Sequence, residues 1–172
     1  HCGLNGRFRY DGNCEKPYYH PGRKANILYE GKVLGTMGEI HPDVLKNFDL
    51  KERAYVAVLD LEEVYPLAGD HRKFKPVAKY PAVSQDFSLL VPLTVTAGEV
   101  EDAIREAASP LLEKVELFDI YEGAQVLTGY KSLSYNVSLR AKDHTLSEEE
   151  INKLRGVLLT SLEKMGVKLR DM

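Results

Sequence analysis

The sequence predicts an α+β protein: an antiparallel sheet with helices on one side from Lys79 to Met172, preceded by a strand-rich piece with little helix. Three observations lead there. Apolar and polar residues alternate with a period of two in several short runs, two capping-box spacings each open an apolar helical stripe, and a charged, proline-bounded stretch separates the halves.

Upstream, Ala25 to Tyr29, Val33 to Ile40 and Tyr55 to Leu61 read as strands, and Asp43 to Phe48 as one helical turn. His20 and His41 both precede proline, which predicts a tight turn at Pro21-Gly22 and a helix start at Pro42. No long amphipathic helix is available to cover this sheet. A sheet with an uncovered apolar face is seldom a complete domain, so the segment reads as the tail of a larger one or as a part completed by a partner. Leu67 to Ala78 carries charge without apolar periodicity and reads as a connection. The expected organisation is 1–68, a linker at 69–78, and a second domain at 79–172.

Downstream, Gln85 to Val91 alternates, with Phe87, Leu89 and Val91 on one face and Asp86, Ser88 and Leu90 on the other. Thr96 and Glu99 have capping-box spacing, after which Val100, Ala103, Ile104, Ala107 and Ala108 share one helical stripe. Leu117 to Gly123 and Lys131 to Arg140 form two further strands. Phe118, Ile120, Leu133, Tyr135, Val137 and Leu139 make an oily face, and Asp119, Tyr121, Ser132, Ser134, Asn136, Ser138 and Arg140 a polar one. Ser147 with Glu150 opens a second helix, Gly166 stands at its stop, and Val167 to Arg170 is a short last strand.

The order βαββαβ predicts a four-stranded antiparallel sheet with both helices on one face, because right-handed crossovers place them together. The other face stays open. Strict alternation throws Val115 and Leu117 outward and Glu116 inward, so a bulge or the true strand start is expected near Glu116. The open face suits stacking on a base and hydrogen-bonding its edges; a solvated outer face accounts for the same alternation.

Composition excludes several functions. The 172 residues are 44% hydrophobic and 28% charged, and no apolar run approaches the roughly 20 residues of a membrane span, so the expected setting is the cytoplasm. Cys2 and Cys14 have neither a disulfide-framework nor a close zinc spacing, even with His1, His20 and His41 counted, so no metal site is expected. A net charge of −3 argues against nonspecific coating of nucleic acid. The acids gather in the helical segments, however, while Lys131, Arg140, Lys168 and Arg170 lie in strands, which is compatible with a local basic patch. No nucleophile pairs with a histidine in a recognisable layout and no glycine-rich phosphate loop follows a strand, so no catalytic residue is expected.

Tyr19-His20-Pro21-Gly22-Arg23, Leu34 to Pro42 (LGTMGEIHP), Lys79 to Asp86 (KYPAVSQD), Phe118 to Gly123 (FDIYEG), Lys131-Ser132-Leu133 and His144 to Glu150 (HTLSEEE) carry a resemblance in order and spacing over nearly the whole chain. Together they resemble the C-terminal end of bacterial phenylalanyl-tRNA synthetase beta subunits. The resemblance implies a ferredoxin-like anticodon-binding domain at 79–172, preceded by the end of a class II synthetase-like domain without an active site. It implies phenylalanine tRNA as ligand and an alpha subunit as partner in an alpha2-beta2 heterotetramer. Chemistry is then expected in the alpha subunit, with no cofactor in this piece and ATP and magnesium used by the whole enzyme.

On that reading Tyr121 stacks on an anticodon base and Asp119 and Ser132 meet base edges. Arg170 and Lys131 hold phosphate, and Ser88, Asn136 and Arg140 complete the site. Gln85 stands where the family often has arginine, which would remove one charge-assisted contact if that arginine touches RNA. Small-molecule regulatory domains and acylphosphatase-like enzymes share the strand order. Val91-Pro92-Leu93-Thr94 lacks the glycine turn of the former, and Val95 to Glu99 brings an acid where the latter need a basic phosphate loop. A subunit-interaction module remains a further alternative.

Overall fold

The computed structural model describes residues 4, 7–69, 77–123 and 126–170. The chain divides into two compact units, His1–Lys75 and Pro76–Met172. The division falls inside the stretch read as a connection, most of which lies outside the described residues.

In the first unit β1 (Phe8–Asp11), β2 (Tyr19–Tyr29), β3 (Lys32–Ile40) and β4 (Tyr55–Leu59) form an antiparallel sheet in that order. Two residues, Glu30 and Gly31, close the β2–β3 hairpin with φ of 50° and 83°. Positive φ at both central positions matches the turn to the twist of the strands it joins. Pro21 and Gly22, expected in a tight turn, instead lie inside β2, where the register shifts between Tyr19 and Lys24. Proline lacks a ladder N–H, and a bulge tolerates that gap. α1 (Pro42–Asn47) begins where expected, its Asp43 N–H bonded to Nδ1 of His41 at 3.2 Å. β4 stops at Leu59 rather than Leu61, because Asp60 accepts the Glu62 N–H at 3.0 Å and starts α2 (Leu61–Val64).

Neither short helix can cover a four-stranded sheet. The buried cluster among the described residues is Tyr29, Leu34 and Val64, while Val33, Tyr55, Val56, Val58 and Leu59 remain exposed.

The second unit comprises β5 (Val83–Pro92), α3 (Ala97–Ala108), β6 (Leu112–Tyr121), β7 (Tyr130–Leu139), α4 (Glu148–Glu163) and β8 (Lys168–Leu169), with sheet order β6-β7-β5-β8. Each helix opens on a complete capping box, Thr96 with Glu99 and Ser147 with Glu150. Val100, Ile104 and Ala108 of α3 and Leu158 and Leu162 of α4 join Phe87, Leu89, Val91, Leu133, Tyr135, Val137 and Leu139 of the sheet in one core. Full burial of each large aliphatic contributes about 1.5–3 kcal/mol. The Tyr135 hydroxyl donates to the Ala97 carbonyl at 2.8 Å, tying the central strand to the start of α3.

The expected bulge exists, slightly further along. Val115 and Leu117 pair with Val137 and Tyr135 and face the core, and the register then shifts between Leu117 and Asp119. Phe118 is the extra residue, 58% exposed, and beyond it the parity reverses, so that Asp119 and Tyr121 reach the open face. Ile120 pairs with core residue Leu133 yet stays 57% exposed at the sheet edge.

Candidate nucleic-acid interface

Strand register arranges the open face in rows. Tyr121, Ser132, Leu90 and Lys168 lie opposite one another across the four strands. The next row is Asp119, Ser134 and Ser88, extended by Arg170, whose backbone N–H donates to the Ser88 carbonyl at 2.8 Å. Glu116, Asn136 and Asp86 follow, then Lys114, Ser138 and Ser84.

The two ends of this face differ chemically. At the Lys114 end the polar groups satisfy each other: Lys114 pairs with Glu116 at 2.6 Å, Asn136 donates to Asp86 at 2.6 Å, and the Ser84 and Ser138 hydroxyls lie 3.0 Å apart. At the Tyr121 end the Asp119 and Lys168 side chains are exposed, whereas Ser132 and Ser134 are buried, at 2% and 7% exposed. The Asp119 carboxylate and the Lys168 ammonium have no hydrogen-bond or ion-pair partner among the described residues. Tyr121 is 38% exposed. Arg170 reaches across β5 to donate to the Ser132 hydroxyl at 3.3 Å, so a guanidinium and a hydroxyl are held together beside the ring. Ring, carboxylate, hydroxyls and cations within two adjacent rows can stack on a base, meet its edge and neutralise a phosphate.

Of the expected site residues, the structure gathers Asp119, Tyr121, Ser132, Arg170 and Ser88 at this end, with the Ser88 hydroxyl 3.5 Å from that of Ser134. Asn136 shares the face but is engaged with Asp86. Lys131 is not beside Arg170: it lies opposite Val91, on the helix side with Leu133, where its charge helps hold the Glu99 carboxyl below its usual range. The hydrogen bonds from Thr96 are the larger cause of that shift. Arg140 is committed elsewhere, bonded through Nε to Glu113 at 3.0 Å and through a terminal nitrogen to the Tyr80 carbonyl. Gln85 lies opposite Val137 with core parity, so the residue where the family often has arginine does not face the open surface. Lys168, not among the expected site residues, lies in the Tyr121 row, as the alternation through Lys168-Leu169-Arg170 signals.

The first unit offers no comparable set. The His20 and His41 rings accept the N–H of Gly22 and Asp43, at 3.1 and 3.2 Å, and act as local backbone caps. A groove of about 540 Å³ runs over Ala25, Met37 and Ala57 between Tyr10 and Tyr55. At its edge the buried Glu39 accepts two bonds from Arg23, at 3.0 and 2.9 Å. Burial pushes the Glu39 carboxyl up, but Arg23, the Tyr55 hydroxyl and Arg53 outweigh it and hold the group below its usual range, as a structural ion. No metal-binding cluster is present among the described residues, and no helix there is long and apolar enough to cross a membrane.

A four-stranded antiparallel sheet with two helices behind it and an aromatic among hydroxyls in front defines a ferredoxin-like class of domain. Residues 78–170 match the family described as Ferredoxin-fold anticodon binding domain, and residues 1–61 match the Phenylalanyl tRNA synthetase beta chain CLM domain. The chain belongs to the ferredoxin-fold anticodon-binding family, in the form found in phenylalanyl-tRNA synthetase beta chains. It is 39% identical to the phenylalanine–tRNA ligase beta subunit of Clostridium tetani over 94% of this chain and 20% of that one. Identity to the Clostridium acetobutylicum subunit is 38%, over 98% and 21% of the two chains, and to the Moorella thermoacetica subunit 41%, over 90% and 19%. The chain thus spans about a fifth of the length of these relatives.

Proposed function

We propose that the second unit reads the anticodon stem-loop of phenylalanine tRNA through the Tyr121 end of its open sheet face, as the tRNA-binding part of a phenylalanine–tRNA ligase in the cytoplasm. The observation that carries this is the asymmetry of the face. Its Lys114 end is internally satisfied, whereas its Tyr121 end holds an exposed ring, a carboxylate without a partner among the described residues, and the Arg170–Ser132 pair. Tyr121 stacks on one base, Asp119 accepts at a base edge, and Lys168 and Arg170, the latter held by the buried Ser132 hydroxyl, meet the backbone.

Aminoacylation, with its ATP and magnesium, takes place in an alpha subunit, two of which join two beta subunits. The first unit then contributes structure and no chemistry, in keeping with its capping histidines and the paired Glu39. The test is a titration with phenylalanine tRNA and with the same tRNA substituted in its anticodon. Tyr121→Ala is expected to cost about 1–3 kcal/mol of binding and Tyr121→Phe much less, because the ring provides the contact. Wild-type affinity in a folded Tyr121→Ala variant would leave the open face as a solvated surface.

A further inference from the structure

Gly123 follows the end of β6 by two residues, and its glycine identity needs a reason. Backbone conformation does not supply one. The glycines with positive φ among the described residues are Gly31, Gly129 and Gly166, so Gly123 has a backbone that any residue adopts. Space supplies the reason instead. A Cβ at Gly123 would lie 2.6 Å from the Tyr121 hydroxyl oxygen, 2.9 Å from Cζ and 3.4 Å from Cε1. The hydroxyl end of the ring occupies the place where a side chain would stand.

We propose that Gly123 is a positioning residue for base stacking: by lacking a side chain it lets the Tyr121 ring rest against the backbone and fixes the ring in one orientation at the edge of the open face. This rests on the anticodon-reading proposal and deepens it. A tyrosine on an edge strand has several staggered rotamers open to it, and a base stacks well on only some of them. A ring already lodged in one orientation loses less freedom when the base arrives, so binding is tighter for the same contact. The atoms that would obstruct a Cβ are the far end of a flexible side chain, with no backbone atom among them. Gly123→Ala therefore displaces the ring and leaves the fold in place.

The Gly123 carbonyl also accepts the Val126 N–H at 3.0 Å, and a purely structural role through that bond must be distinguished. Tyr121→Phe separates the two, since it removes the closest obstructing atom and leaves the Gly123–Val126 bond in place. In the 172-residue chain, the Gly123 α-proton resonances are expected to be shifted by the Tyr121 ring current, and to return to ordinary values in Tyr121→Ala. The binding probe is an RNA hairpin carrying the phenylalanine anticodon loop. Gly123→Ala should weaken it about tenfold or more, the double variant with Tyr121→Ala should bind no worse than Tyr121→Ala alone, and Tyr121→Phe in the Gly123→Ala background should recover part of the loss. Wild-type binding by Gly123→Ala beside weakened binding by Tyr121→Ala overturns the positioning role alone, as does full additivity of the two. Wild-type binding by Tyr121→Ala removes the stacking reading itself, and the positioning role with it.

Discussion

The two units build sheets of equal strand number and bury them very differently. In the second, two helices of 12 and 16 residues close one face, and a sixteen-residue cluster is buried between the layers. In the first, helices of 6 and 4 residues leave most of the sheet uncovered, and the buried cluster among the described residues is three side chains. Covering one face completely is what frees the other for recognition: rigid strands then fix the spacing of Tyr121, Ser132 and Arg170 without loops to hold them.

That contrast is broken most directly in the cores. Ile104→Ala, at a fully buried position, should destabilise the second unit by about 2–5 kcal/mol. Val58→Ala, at a half-exposed position, should stay within about 0.5 kcal/mol. Denaturant unfolding of the chain checks both; comparable losses would mean that the first sheet is covered after all.

A smaller effect separates the two arginines of the open-face strands. Arg170→Ala should weaken tRNA binding for any loop sequence and reduce the salt slope by about 0.7, one phosphate contact on a single strand. Arg140→Ala should leave the slope unchanged and act on stability, because that guanidinium already serves Glu113 and the Tyr80 carbonyl. Affinity measured at several salt concentrations decides between them, and equal slopes would void the distinction.

Most of the second unit was legible because its signals are local. Capping boxes, apolar stripes and alternation each need only a few neighbouring residues, and all agree with one another. Non-local facts were not. Alternation located a fault near Glu116, but only pairing with β7 places the extra residue at Phe118 and shows which way Asp119 and Tyr121 turn. Lys131 entered the site through a family motif, although its own parity with Leu133 assigns it to the helix side. Arg140 has open-face parity, yet its partners lie 27 and 60 residues away, a separation that no local pattern reveals. In the first unit the early part of β2 escaped because Pro21 and Gly22 hide a bulged strand, and β1 because it is only four residues long.

The smallest predicted effect concerns the loop before α4. His144 lies 2.8 Å from Asp143 and 2.9 Å from Glu150, whose other oxygen completes the cap at Ser147. The bond to Glu150, then that to Asp143, raises the His144 pKa above its usual 6.5. The Ser147 N–H, then His144, lowers that of Glu150 from 4.5 to about 2. A raised histidine stabilises the fold fully below 6.5 and loses its effect as pH climbs through the folded value. A lowered carboxylate stabilises above 4.5 and loses its effect as pH falls toward 2. Their joint contribution is therefore greatest between about 4.5 and 6.5, and His144→Gln should flatten the decline above 6.5. On the acid side it should remove the hold on Asp143, whose first cause is the His144 bond, and keep the Ser147 hold on Glu150. Thermal melts from the acid side of that range to well above 6.5 read it out, and an unchanged alkaline decline would exclude His144 as its source.

The central claim, that the Tyr121 end of the open sheet face is the reading surface, is tested most directly by mapping backbone amide resonances of the chain while an anticodon hairpin is added. The account predicts that the largest changes fall at Asp119, Tyr121, Ser132, Ser134, Ser88 and Arg170, with little at Ser84, Ser138 or the outward sides of α3 and α4. Changes concentrated on the helices or in the first sheet, with the Tyr121 rows silent, would contradict it.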